Sequence, residues 1–188
     1  GPAPFHILAS GRLSNEQEHI TLIRAVAMCR HASSIRLTIA GTGPLKRRLQ
    51  RTADRLLPGQ VEIGFHRNTE MPELLRSGDL FVHPSIADLE SVSVIEGMAS
   101  GLVPVIAASR LSAAGQFSLL DESLFPVGDV AALAQRIDWW IDHPDELSAW
   151  GARYAEHTRT HYSVEASVRR FVAMEREVIA GRSGARNA

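Results

Sequence analysis

Arg12 and Glu96 are the two side chains whose type and context suit a ligand bearing both phosphate and hydroxyl groups. Arg12 lies in Ser10-Gly11-Arg12-Leu13-Ser14-Asn15-Glu16. There Gly11 lets the backbone approach a ligand, and the arginine offers a planar fork for phosphate oxygens. A capped turn with a surface arginine would look the same. Glu96 lies in the stretch from His83 to Gly101, about one turn inside an expected helix and amid apolar residues. A carboxylate buried there needs partners, because leaving it unpaired is costly. Ribose hydroxyls would serve, since a carboxylate accepts from both at once. A salt bridge to a neighbour such as Arg110 would also do so. Ser91 and Ser93 stand where that helix begins, so one of them is expected to cap it and leave backbone amides facing outward. Asp88 and Glu90 precede them, and acidic loop residues are commonly just solvated.

Other chemistries find less support. Gly41-Thr42-Gly43 lacks the third glycine of a dinucleotide fingerprint, because Lys46 stands there, and no acidic residue follows at the right distance. The eight histidines show no metal-ligand spacing, so no metal site is expected, and His83 before Pro84 reads as a strand-end residue. The 20 lysines and arginines are scattered along a chain of net charge -1, which argues against a nucleic-acid partner. The longest apolar runs, such as Leu102–Ala108, are too short to cross a bilayer. No secretory signal is recognised, and the single Cys29 has no internal disulfide partner; both fit a cytoplasmic protein. Met28, Met98, Trp139 and Trp140 are expected to pack the core or its edge.

These residues need a scaffold, and the chain alternates strand and helix patterns. Strands are expected at Phe5–Ala9, Ile35–Ala40, Val61–Phe65, Leu80–His83, Val103–Ala107 and, at an edge, Leu124–Val127. Helices are expected from Asn15 to His31, after Pro44 to Leu56, at Met71–Arg76 and Val92–Ser100, and from Val130, Pro144 and Ser163. Such alternation gives an α/β fold: a doubly wound, Rossmann-like parallel sheet of about six strands with helices on both faces. Right-handed crossovers make 3-2-1-4-5-6 the expected strand order. A ligand then meets the loops after Ala9 and after His83, which are the two stretches already singled out. With 188 residues the chain suits one sizeable domain, expected at 3–180. Gly1-Pro2 matches the scar of a tag-cleaving protease, and residues 181–188 read as a disordered tail.

Gly11-Arg12-Leu13, Ala40-Gly41-Thr42-Gly43-Pro44 and Glu96-Gly97-Met98-Ala99-Ser100-Gly101 resemble, in that order, the C-terminal domain of GT-B-fold glycosyltransferases of family 4. The resemblance runs from about Phe5 to Ile179. Gly11–Glu16, Ser112–Phe117 and Ile137–Trp140 resemble more closely the bacterial enzymes that glucosylate cholesterol or diacylglycerol. The resemblance implies a retaining transferase that uses a nucleotide diphosphate sugar, with UDP-glucose favoured over GDP-mannose, and needs no metal or other cofactor. Its partners would be a lipid or glycan acceptor and the N-terminal domain of the same enzyme. That enzyme would be cytoplasmic or peripheral at the inner membrane face, and the C-terminal domain alone would be inactive. Residue by residue, Arg12 with Gly11 would bind the diphosphate and Glu96 the ribose. Asp88, opening an acidic-x7-Glu motif, would reach the sugar ring, making Arg12, Asp88 and Glu96 the catalytic set. Amides of Leu89, Glu90, Ser91 and Val92 would hold sugar and phosphate, while His66, Arg67 and Asn68 would border the base.

The sequence departs from that family pattern at three positions. Gln17 stands where a lysine usually gives a second phosphate contact, Glu18 replaces a glycine, and Asp88 is one methylene shorter than the usual glutamate. A charge-assisted phosphate contact contributes roughly 1.5–3 kcal/mol, so the missing lysine matters most. Two other readings stay open: an epimerase or sugar phosphorylase of related fold, and a non-catalytic nucleotide-sugar-binding module, which Gln17 would suit. The chain shows no lysine motif for the pyridoxal phosphate of a phosphorylase.

Overall fold

Short, mainly apolar runs form the sheet, buried on both sides at its centre and partly exposed at its edges. In the computed structural model, which describes residues 3–163 with Glu165, Val168, Arg169, Val172 and Met174, these are β1 (Phe5–Ser10), β2 (Ile35–Ala40), β3 (Val61–Gly64), β4 (Leu80–His83), β6 (Val103–Ala108) and β8 (Leu124–Pro126). Two further strands of two residues each, β5 (Ala87–Asp88) and β7 (Leu111–Ser112), pair separately. The main sheet is parallel with order β3-β2-β1-β4-β6-β8, which is the expected 3-2-1-4-5-6. All four residues of β4 and the first five of β6 are buried, as in a sheet covered on both faces.

The helices are α1 (His19–Met28), α2 (Lys46–Leu56), α3 (Met71–Arg76), α4 (Val92–Ala99), α5 (Val130–Asp142) and α6 (Pro144–His161). Right-handed crossovers put α1 and α2 on one face of the sheet and α4 on the other. Accordingly α1 packs on α2 and α5, and α4 packs on α6. Leu22, Ile23 and Val26 of α1 and Val94 and Met98 of α4 are buried against the strands. Gly101 closes α4 with a left-handed φ of 84°, as its position after the helix predicts.

The largest departure from expectation concerns the first helix. A single-turn 3-10 helix covers Asn15–Gln17, Glu18 turns left-handed at φ 51°, and α1 begins only at His19. The cause is tertiary: the Glu16 carbonyl accepts from the Ile86 amide (2.8 Å) and the Ser85 hydroxyl (3.1 Å), so it is not free to bond along a helix. At the other end the amides of Arg30 and His31 donate to buried Asp138 of α5, and the helix stops at Met28 instead of His31. Pro44 sits in the turn before α2, which starts two residues later at Lys46. Met98, Trp139 and Trp140 pack the core or its edge as expected, whereas Met28 is 60% exposed. No helix among the described residues is long and apolar enough to cross a membrane. The expected helix from Ser163 and the tail 181–188 lie largely outside the described residues, as do Gly1 and Pro2. Val168 and Val172, which fall within that expected helix, are exposed.

Candidate functional site

The strand order reverses between β1 and β4, and there the carboxyl ends of the strands open a crevice. Three loops build its wall. The Gly11 amide donates to the Ala40 carbonyl (3.0 Å), the Leu13 amide to Thr42 (2.9 Å), and the Gly41 amide to Gly64 (2.7 Å). The turns after β1 and β2 are so close that a Cβ on Gly41 would fall 1.9 Å from the Gly11 carbonyl oxygen. The Gly41-Thr42-Gly43 turn therefore needs its first glycine to pack the Gly11–Leu13 loop, and a phosphate fingerprint is not required to explain it.

This stitching leaves a cleft of about 510 Å³. Of the expected site residues Gly11, Arg12, His66, Asn68 and Glu96 line it, together with Thr42, Phe65 and Met71. Arg12 is exposed, and its guanidinium makes no ion pair or hydrogen bond with a described residue. Glu96 faces the cleft from α4. It is exposed, which corrects the expectation of a buried carboxylate, and no described residue pairs with it, Arg110 included. The apolar neighbours in sequence point into the core instead, as Val94, Gly97 and Met98 show.

The remaining expected residues lie outside this cleft. Asp88 Oδ1 accepts from the amides of Glu90 (3.2 Å) and Ser91 (2.8 Å), so those two amides hold the loop together and are not free for a ligand. Ser91 starts α4 in a left-handed conformation at φ 49°, and its buried hydroxyl makes no cap and has no partner among the described residues. The serine cap expected there is therefore not formed, and Asp88 orders the loop in its place. Leu89 and Val92 are exposed at the loop's rim. The Gln17 carboxamide lies against the Gly11 turn, with its oxygen 2.8 Å from where a Gly11 Cβ would be. Arg67 turns away toward Glu70, whose carboxylate also accepts the Arg67 amide at 2.8 Å.

Beneath both loops lie two histidines whose joint burial was not anticipated. His83 is 1% exposed, and its Nε2 lies 3.3 Å from Asp88 Oδ2, near enough to attract but misaligned for a hydrogen bond. His19 is equally enclosed, and neither ring nitrogen has a well-aligned hydrogen-bond partner among the described residues. Burial with the nearby His83 lowers its pKa to about 4 against the opposing pull of the Arg12 backbone. Burial lowers His83 too, while Asp88 opposes the shift. Burial thus disfavours the charged imidazolium at both positions. Among the described residues no group of three or more His, Cys, Asp or Glu could hold a metal ion.

The missed cleft residues are mainly Phe65, Thr42 and Met71. Phe65 was legible only as the last residue of a strand, yet it lies beyond β3 and is 69% exposed on the cleft wall. An exposed aromatic at a strand's carboxyl end was the available signal.

The doubly wound sheet, with a cleft at its switch point, is the fold of a GT-B glycosyltransferase domain. The sequence pattern of the family described as Glycosyl transferases group 1 matches residues 3–157, and the chain belongs to that family. It is similar to the catalytic domain of cholesterol-alpha-glucosyltransferase from Helicobacter pylori, at 35% identity and a TM-score of 0.81, over 84% of this chain and 99% of that one. The HepE protein of Anabaena, solved with UDP, shares the fold at 20% identity and a TM-score of 0.78, over 97% of this chain and 49% of that one. An uncharacterized glycosyltransferase of Methanocaldococcus jannaschii is 28% identical over 149 residues, which span 78% of this chain and 37% of that protein.

Proposed function

We propose that this domain binds the donor of a retaining glycosyltransferase of family 4, which transfers a hexose from a nucleotide diphosphate sugar to a lipid or glycan hydroxyl. UDP-glucose is the donor of choice, because the glucosyltransferase similarity is strong in both sequence and fold. The observation that carries the reading is that Arg12 and Glu96 line one cleft and neither is paired with a described residue. Glu96 accepts from the ribose hydroxyls. Arg12 holds the diphosphate and stabilises the charge that develops on it as the sugar leaves. Phe65, with His66 and Asn68, offers a face for the base. Asp88 orders the loop of Leu89 to Val92 and lies next to the place of the sugar. No metal or cofactor enters this reading.

Transfer needs donor and acceptor held together with water excluded, and one wall of a cleft does not achieve that. The reading therefore includes an N-terminal domain that carries the acceptor side, in a cytoplasmic enzyme lying peripherally at the inner membrane face. Gln17 in place of a cation favours one second reading, a module that binds a nucleotide sugar without turnover. Calorimetry with UDP-glucose, followed by an assay with labelled donor and lipid acceptors with and without the natural N-terminal half, tests both. Binding by the 188-residue chain, and transfer only with the added half, is expected. Binding with no transfer in either case would favour the module, and no binding at all would refute the donor site.

A further inference from the structure

The overall charge of -1 conceals a concentration of cations on one helix. Lys46, Arg47, Arg48, Arg51 and Arg55 are all exposed on α2, against the single carboxylate Asp54. That carboxylate is engaged by Gln50 of the same helix at 2.8 Å. None of the five cations makes an ion pair or side-chain hydrogen bond with a described residue. With five cations and one carboxylate the helix carries +4, so the rest of the chain, at -1 in total, carries -5. Arg24 adds a further exposed cation on α1, which packs beside α2 and contains no acidic residue. Both helices run antiparallel to the strands, so their C-terminal ends lie together at the end of the sheet where the strands begin. There Met28 is 60% and Leu56 37% exposed.

We infer that the α2 face docks on a membrane surface that carries anionic phospholipid. Five exposed cations along one short helix, unpaired with any described residue, match a sheet of anionic headgroups, which asks for charge density and no fixed geometry. The negative remainder of the domain is repelled by the same surface, so the charge asymmetry orients α2 toward it. Exposed methionine and leucine at that end can enter the headgroup layer, where apolar side chains strengthen peripheral binding. A single-stranded nucleic acid is the poorer match, because α1 and α2 contain no aromatic residue on which bases would stack. The docking face lies on the side of the sheet opposite α4, leaving the loop after β4 uncovered. This inference rests on the peripheral-membrane part of the proposed function, and not on the donor site.

The test is co-sedimentation of the 188-residue chain with vesicles of phosphatidylcholine alone or in equal parts with phosphatidylglycerol. UDP binding is read on the same samples, so failure of the donor reading is seen separately. Binding is expected only to the phosphatidylglycerol vesicles, and it should weaken as salt rises. Arg47→Gln, Arg48→Gln and Arg51→Gln together should lower it on the order of a hundredfold, since each cation near such a surface contributes about fivefold. Because all three side chains are exposed and pair with no described residue, circular dichroism and UDP affinity should not change. Equal binding to both vesicle types, no binding to either, or unchanged binding of the triple variant would overturn the inference. Tighter binding to a short DNA duplex than to the anionic vesicles would overturn it as well.

Discussion

Replacing Glu96 by glutamine removes a charge from the cleft while leaving shape and stability nearly untouched. The side chain is exposed, no described residue pairs with it, and α4 is anchored by Val94 and Met98 on its other side. A surface change of this kind alters stability by no more than about 0.5 kcal/mol. Binding should respond far more. A hydrogen bond to an ionised acceptor contributes about 1.5–3 kcal/mol, and the glutamine oxygen still accepts one weaker bond. The expected loss is therefore roughly 1–3 kcal/mol, or about 5- to 150-fold in Kd for UDP. Ligand fragments locate the effect. Uridine should lose affinity as UDP does, whereas pyrophosphate, having no ribose, should bind the variant slightly better because a negative charge has gone. Arg12→Ala should give the converse pattern, with pyrophosphate and UDP weakened and uridine nearly unaffected. Titration calorimetry on the two variants, with thermal denaturation as the folding control, reads all of this. A folded Glu96→Gln protein that binds UDP and uridine as tightly as the parent would refute the ribose assignment.

The remaining predictions concern the phosphate side, metal independence and pH. Gln17→Lys should tighten UDP binding by placing a cation beside the Gly11 turn; unchanged affinity would mean that the carboxamide's position is not within reach of the diphosphate. UDP-glucose should bind equally well before and after treatment with a chelator, and a strict magnesium or manganese requirement in calorimetry would contradict the metal-free reading. His19 is a base whose folded pKa, about 4, lies below its ordinary 6.5. The unfolded chain therefore takes up the proton first, so stability is lost as pH falls from about 6.5 toward 4, by at most about 3 kcal/mol for this group. Urea denaturation should show a shallower loss over that window for His19→Leu than for the parent, and identical pH profiles would show that the ring is not held neutral.

The sheet was legible because parallel strands covered on both faces leave an unmistakable trace of short apolar runs, and chirality then restricts their order. The same logic located the switch-point loops before any side chain was placed. What was not legible depended on contacts between distant segments. Nothing near Glu18 announces a left-handed residue; the carbonyl that would continue the helix is taken by Ser85 and Ile86, far along the chain. The paired strands β5 and β7 are two residues long, too short to carry a period. Glu96 was assigned its role by an argument from burial, and the helix instead rotates it to the surface. The cationic strength of α2 was hidden by counting charges over the whole chain.

The site also shows how partners are divided between scaffold and ligand. Loop-forming groups are satisfied within the protein: Asp88 takes the amides of Glu90 and Ser91, the Glu16 carbonyl takes Ser85 and Ile86, and the Gly11 and Leu13 amides are bound to the β2 turn. These bonds fix the loops before any ligand arrives, which reduces the ordering that binding must impose. The cleft-facing charges of Arg12 and Glu96 are left open to solvent. A salt bridge between them would cost little at a surface and would close the cleft, so their placement on separate walls, one on a loop and one on a helix, keeps each available. Gln17 fits the same division: a neutral carboxamide can pack on the Gly11 turn, where a lysine would hold its charge in the cleft. On the proposed donor reading, affinity on the phosphate side rests on Arg12 to a greater degree than in a protein with the second cation. Loss of Arg12, which would share the diphosphate with the new lysine, should therefore be more damaging in the parent than in the Gln17→Lys background. A double-mutant cycle measures that non-additivity directly, whereas loss of Glu96 on the ribose side should cost the same in both.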